Sequence, residues 1–109
     1  MTTKQPQSAI IVGGGIGGLA AALALTRQGI QVQLLEQASQ IGEIGAGIQL
    51  GPNAFSALDA LGVGETARQC AVFTDHIIMM DAVDNTEILR VQTGQAFRER
   101  FNGPYAVIH

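Results

Sequence analysis

The sequence has 109 residues, 47% hydrophobic and 14% charged, with 14 glycines and a net charge of −3. That length holds one domain with a modest core, and the apolar content excludes a disordered chain. The acidic balance, with no Lys/Arg cluster, argues against a nucleic-acid binder. A single cysteine, Cys70, excludes an internal disulfide and suits a reducing cytoplasm; its simplest role is that of a small buried apolar residue.

The polar start, Met1 to Ser8, carries no signal-peptide pattern and is expected to fray. No apolar stretch is long enough to span a membrane. The first element is a short buried strand, Ala9-Ile10-Ile11-Val12, followed by Gly13-Gly14-Gly15-Ile16-Gly17-Gly18 and an apolar helical run through Leu25. Gly13, Gly15 and Gly18 match G-x-G-x-x-G. Each glycine has a separable task in a dinucleotide site: Gly13 turns the chain out of the strand, Gly15 lets a pyrophosphate approach the backbone, and Gly18 lets the helix sit close to the sheet. The helix start then faces the phosphates with free N–H groups. A glycine-rich loop without a ligand is the plainer reading of such a motif, but here the context is complete. Arg27 and Gln28 close the helix and Gly29 occupies the stop position. A second strand, Gln31-Val32-Gln33-Leu34-Leu35, leads to Glu36, about twenty residues beyond the glycines, where a ribose-binding acid belongs.

From Gln37 to Asn53 the sequence reads as a loop, with four glycines between Gly42 and Gly51 and apolar anchors at Ile41, Ile44, Ile48 and Leu50. Such a loop can line a ligand with backbone groups. A helix is predicted from Pro52 to Leu61, with Ala54, Phe55, Leu58 and Leu61 on one stripe and Gly62 as its stop. Val63 to Cys70 reads as another short helix, with Glu65 and Arg68 placed to suit its dipole. The period then changes: His76 to Val83 and Glu87 to Gln92 form a predicted hairpin around Asp84-Asn85-Thr86, with Ile77, Met79 and Val83 on one face. Met79 and Met80 read as core filling and His76 as a surface strand residue. Arg98-Glu99-Arg100 reads as a solvated face, and Tyr105 to Ile108 as a possible further strand. The fold class is therefore α/β: a Rossmann-like βαβ unit with an added β-hairpin. Low charge and many glycines suit a sheet covered on both faces. One cysteine and two scattered histidines cannot build a zinc site, and no nucleophile–base grouping stands out, so no catalytic and no metal-ligating residue is assigned.

Together, Ile11 to Leu19, Leu35-Glu36-Gln37, Gly45 to Ala54 and Leu61-Gly62-Val63 resemble the N-terminal part of the FAD-dependent aromatic-ring monooxygenases, the single-component flavoprotein hydroxylases. The resemblance runs along essentially the whole chain, and its most specific stretch is Gly45 to Ala54. It implies that residues 1–109 are the N-terminal part of an FAD-binding domain, an incomplete part of a larger FAD/NAD(P)-binding fold. Further FAD segments and the substrate domain would lie outside these residues, which alone would be inactive. It also implies that Gly13, Gly15, Ile16, Gly17 and Gly18 form the FAD pyrophosphate turn. Glu36, with Gln37 beside it, would take the adenosine ribose, and Gly47, Ile48 and Gln49 would lie near the isoalloxazine. The implied intact enzyme is cytoplasmic, with a homodimer as its expected assembly, and hydroxylates a phenolic acid of the salicylate or 3-hydroxybenzoate type, with NADH or NADPH as co-substrate and O₂. Two alternatives remain open at this stage: another Rossmann NAD-dependent oxidoreductase, which the Gly45-to-Ala54 stretch disfavours, and a stand-alone nucleotide-binding module without catalysis.

Overall fold

The computed structural model describes residues 7–42 and 47–109. Expectations for residues 1–6 and 43–46, including the polar start, the Ile44 anchor and Gly45-Ala46, lie outside the described residues. The chain divides into two compact units, Met1–Ile44 and Gly45–His109.

The first unit is a βαβ motif. Strand β1 (Ser8–Val12) and strand β2 (Gln31–Leu35) pair in parallel, from Ser8 opposite Gln31 to Val12 opposite Leu35. Helix α1 (Ile16–Arg27) connects them. The helix stops as expected at Gln28. Gly29, at φ +78°, donates its N–H to the Thr26 carbonyl, and Ile30 donates to that of Leu25. These two bonds satisfy carbonyls that the helix end would otherwise leave bare, and the positive φ is why glycine sits there. Ala9, Ile11, Val32 and Leu34 are half-buried on the helix side of the sheet. On the other side Ile10, Val12 and Leu35 are exposed, Val12 at 83%. Within this unit, then, α1 covers one face only, where the composition had suggested cover on both.

The second unit mixes antiparallel strands with three helices. Strand β3 (Ile48–Leu50) precedes α2 (Pro52–Ala60), α3 (Gly64–Cys70) and the two-residue strand β4 (Val72–Phe73). The hairpin of β5 (His76–Met80) and β6 (Glu87–Gln92) follows, then α4 (Gln95–Phe101) and β7 (Ala106–Ile108). Strand β7 lies between β3 and β4, antiparallel to both. The core here is aromatic. Phe55 of α2 is 1% exposed and stacks on Phe73, with ring centroids 6.1 Å apart. The Arg68 guanidinium covers the Phe55 ring at 5.2 Å, and Arg98 covers Phe73 at 5.1 Å. Arg68 also grips Asp59 with two parallel hydrogen bonds, tying α3 to α2. Thr93 is fully buried; its hydroxyl donates to the Thr74 carbonyl at 2.7 Å.

Several expectations change here. The stretch read as loop contains β3, because Ile48 to Leu50 finds a partner more than fifty residues away. Strand β4 and helix α4 carried no local signal; α4 holds the run Arg98-Glu99-Arg100, which is exposed as expected. Strand β5 ends at Met80, not Val83, because the Asp81 carboxylate accepts from the Val83 and Asp84 N–H groups and bends the chain early. Val83 is consequently 96% exposed in the turn. Met79 and Met80 are about half exposed rather than core filling, at 56% and 48%. Cys70 is exposed at the end of α3, not buried. His76 is an exposed strand residue, as read.

Candidate functional site

The site is built at the carboxyl end of the β1–β2 pair. Gly13 carries φ +106°, a conformation open to glycine alone in practice, and its N–H donates to the Leu35 carbonyl at 2.7 Å. The strand therefore pairs one residue further and then turns. Gly18, one turn into α1, faces back on this bend. A Cβ built on Gly18 would stand 1.9 Å from the Gly13 carbonyl oxygen and 3.4 Å from Ile11 Cγ2. The helix can approach the turn this closely only because position 18 has no side chain. Gly15 is the opposite case: a Cβ there meets nothing within 4 Å, so the space above it is open. Gly15 is the N-cap of α1, no side chain caps the helix, and no acid occupies its first turn. The first-turn N–H groups of Ile16, Gly17 and Gly18 have no intrahelical acceptor, as helix geometry requires. Positive dipole, bare donors and open space together fit an anionic group such as a pyrophosphate.

Glu36 follows β2 directly. Its Oε2 accepts the Gly14 N–H at 2.6 Å, and its Oε1 accepts the Ala38 N–H at 2.8 Å. The Ala38 N–H first and the Gly14 N–H second hold this carboxyl below its ordinary value of 4.5. Gly14, Gly15, Glu36, Ala38, Gln40 and Ile41 line a cleft of about 170 Å³. The cleft holds an acid, amide groups and backbone, and no lysine or arginine. Ribose hydroxyls find acceptors on such a wall, while an added 2′-phosphate would meet the Glu36 charge.

Gly13, Gly15, Ile16, Gly17, Gly18 and Glu36 are thus brought into one corner of the first unit. Gln37, beside Glu36, is exposed. Gly47, Ile48 and Gln49 belong to the second unit, Gly47 directly ahead of β3 and the other two within it, and all three are exposed. Gly47 also has a packing reason to be glycine, since a Cβ there would lie 3.0 Å from Val107 Cγ1. Sequence reasoning passed over Gly14 and Ala38. Gly14 is buried and is the one glycine of the turn whose N–H reaches Glu36. The only cue for it was its place inside a run of three glycines. Among the described residues no group of His, Cys, Asp or Glu is arranged to hold a metal ion, and no helix is long and apolar enough to cross a membrane.

With this geometry in hand, the chain can be set beside the known proteins it is similar to. A family model described as an NAD(P)-binding Rossmann-like domain matches residues 11–60. A 3-hydroxybenzoate 6-hydroxylase of Klebsiella oxytoca is 76% identical over 101 residues, covering 93% of this chain and 25% of that protein. A 3-hydroxybenzoate 6-hydroxylase of Polaromonas naphthalenivorans is 66% identical over 100 residues, again 25% of its length. Among solved structures, Klebsiella pneumoniae HpxO complexed with FAD and uric acid superimposes with a TM-score of 0.77 at 26% identity, over 94% of this chain and 25% of that one. The chain spans about a quarter of the length of the relatives it matches.

Proposed function

Because this chain is similar, over nearly all its length, to the N-terminal part of the FAD-dependent aromatic-ring monooxygenases, we propose that it is the FAD-binding N-terminal portion of such an enzyme, acting on a phenolic acid of the 3-hydroxybenzoate type. The observation that carries this reading is the pairing of a filled position with an empty one. Gly18 has no room for a methyl group, while Gly15 looks onto open space at an uncapped helix start. A fold that needed only a tight turn would require the first and not the second.

In this reading the N–H groups of Ile16, Gly17 and Gly18 hold the pyrophosphate, and Glu36 accepts from the adenosine ribose hydroxyls. Gly47, Ile48 and Gln49 present backbone to the ring end of the same cofactor. When bound, FAD supplies the redox chemistry, accepting reducing equivalents from NADH or NADPH and activating O₂ to hydroxylate the aromatic ring. The chain's own residues bind and orient; none of the described residues is assigned a proton-transfer role. The whole protein in this reading works in the cytoplasm as a homodimer.

The test is a titration of the cofactor-free intact protein that contains this chain with FAD and, separately, with NAD, followed by flavin fluorescence and calorimetry. The expected result is uptake of FAD, and loss of that uptake in Gly15→Ala with the fold intact. An intact protein containing this chain should oxidise NADH or NADPH faster when 3-hydroxybenzoate is added. Uptake of NAD in place of FAD would transfer the site to a dehydrogenase, and uptake of neither would leave a fold without this ligand.

A further inference from the structure

The contact between Glu36 and Gly14 asks for more than ribose binding. A carboxylate has about four acceptor positions, so a ligand contact alone would leave it no reason to face the protein backbone twice. Here one oxygen takes the Gly14 N–H, inside the glycine turn, and the other takes the Ala38 N–H, inside the segment after β2. These are the two walls of the cleft. Gly14 is buried, and without Glu36 its N–H would lose a charged acceptor. Position 14 is also shaped to admit the carboxylate: a Cβ there would lie 3.0 Å from Oε2 and 3.3 Å from Glu36 Cγ.

We propose that Glu36 is a positioning residue, a latch that fastens the Gly13–Gly15 turn to the segment at Ala38 and so sets the width of the cleft before any nucleotide arrives. The inference rests on the reading of this corner as an adenine-dinucleotide site. It adds a function that does not pass through the ribose. Two of the acceptor positions on Glu36 hold the protein, and the remainder stay available to ribose hydroxyls, so latching and binding coexist. Loosening the latch moves the pyrophosphate donors of α1 relative to the opposite wall. It therefore weakens any adenine diphosphate ligand, whether or not that ligand carries ribose hydroxyls.

That last consequence separates the latch from a simple ribose contact. The probes are ADP and 2′,3′-dideoxyadenosine diphosphate, titrated calorimetrically into the cofactor-free intact protein that contains this chain, as the parent and as its Glu36→Gln and Gly14→Ala variants. Glutamine keeps the shape but turns an NH₂ group toward one of the two backbone donors. Alanine at 14 keeps Glu36 and crowds its Oε2 away. Loss of one charge-assisted hydrogen bond should weaken the dideoxy ligand about tenfold in each variant, and ADP by at least as much in Glu36→Gln. If the dideoxy ligand binds parent and Glu36→Gln equally and only ADP weakens, Glu36 acts through the ribose alone and the latch is overturned. Amide hydrogen exchange of the ligand-free parent decides the matter without any variant or ligand. Slow exchange at both Gly14 and Ala38 is expected, and free exchange at either overturns the proposal. Should neither nucleotide bind the parent, the cofactor reading fails, while the exchange result still upholds or removes the latch.

Discussion

The two units are held by opposite means. In the first, the decisive contacts are made at the backbone of glycines, and what matters is room: Gly18 against the Gly13 carbonyl, Gly14 against the Glu36 carboxylate. In the second, the decisive contacts are made by large side chains, and what matters is fill: Phe55 between Phe73 and Arg68, Thr93 on the Thr74 carbonyl. One region should break when an atom is added, the other when atoms are taken away. A nucleotide site needs backbone donors at fixed positions, and rigid backbone spacing is secured better by absent side chains than by flexible ones.

The largest effect is expected in the second unit. Phe55→Ala empties a position that is 1% exposed and should cost about 4 kcal/mol, read as a fall in the urea midpoint. A loss under about 1 kcal/mol would mean that the aromatic cluster is not what holds this unit. Next comes Gly18→Ala, which places a methyl group 1.9 Å from a backbone oxygen that cannot step aside. Roughly 3 kcal/mol and loss of nucleotide binding are expected, since overpacking against backbone leaves few ways to relax. Gly64→Ala sharpens the contrast, because it adds an atom inside the side-chain-held region. Its Cβ would meet Asp59 Oδ1 at 1.9 Å, but this is the tip of an exposed side chain that can swing away. The expected cost is far below that of Gly18→Ala, because loss of the exposed Asp59–Arg68 contact is offset by the gain in helix propensity from replacing glycine. A cost equal to that of Gly18→Ala would collapse the distinction between yielding and unyielding neighbours.

The smallest effect is in acid. The Ala38 and Gly14 N–H groups lower the Glu36 carboxyl, so its contribution is complete above the ordinary value of 4.5 and is lost as pH falls through the lowered folded value. Asp59, lowered by the Arg68 hydrogen bonds, and Glu87, lowered by Arg90, act in the same direction within the second unit. Urea midpoints between pH 6 and pH 3 should therefore fall for the parent and fall less steeply for Glu36→Gln. Identical slopes would show that the Glu36 carboxyl titrates alike in the folded and unfolded chain, against the lowering expected here.

How far the sequence could be read follows the same division. Glycine constraints are local: Gly13, Gly15, Gly18, Gly29 and Gly62 state a turn, an open approach, a close approach and two helix stops without reference to distant residues. The βαβ unit and the place of Glu36 were legible for that reason. Strands β3, β4 and β7 are two or three residues long and exist because of one another, across more than fifty residues in the case of Ile48 and Ile108. No local period announces β3 or β4, whereas β7 was readable as the apolar run Tyr105 to Ile108. Helix α4 was hidden because Arg98-Glu99-Arg100 masks the spacing of Phe97 and Phe101, whose rings meet at 4.6 Å. At the candidate site the motif positions were readable, but Gly14 was not. Its role depends on where the tip of a side chain 22 residues away comes to rest.

The half-exposed methionines of β5 have a practical use. Met79 pairs with Leu89 in the regular ladder, while Met80 lies beyond the register shift, opposite Glu87. Thioether oxidation adds a single oxygen atom at a rate that follows solvent access. Dilute peroxide and peptide mass mapping thus turn the pair into two built-in gauges, one on each side of the break in the ladder. Whatever comes to cover one methionine would quiet it and leave the other as the internal standard.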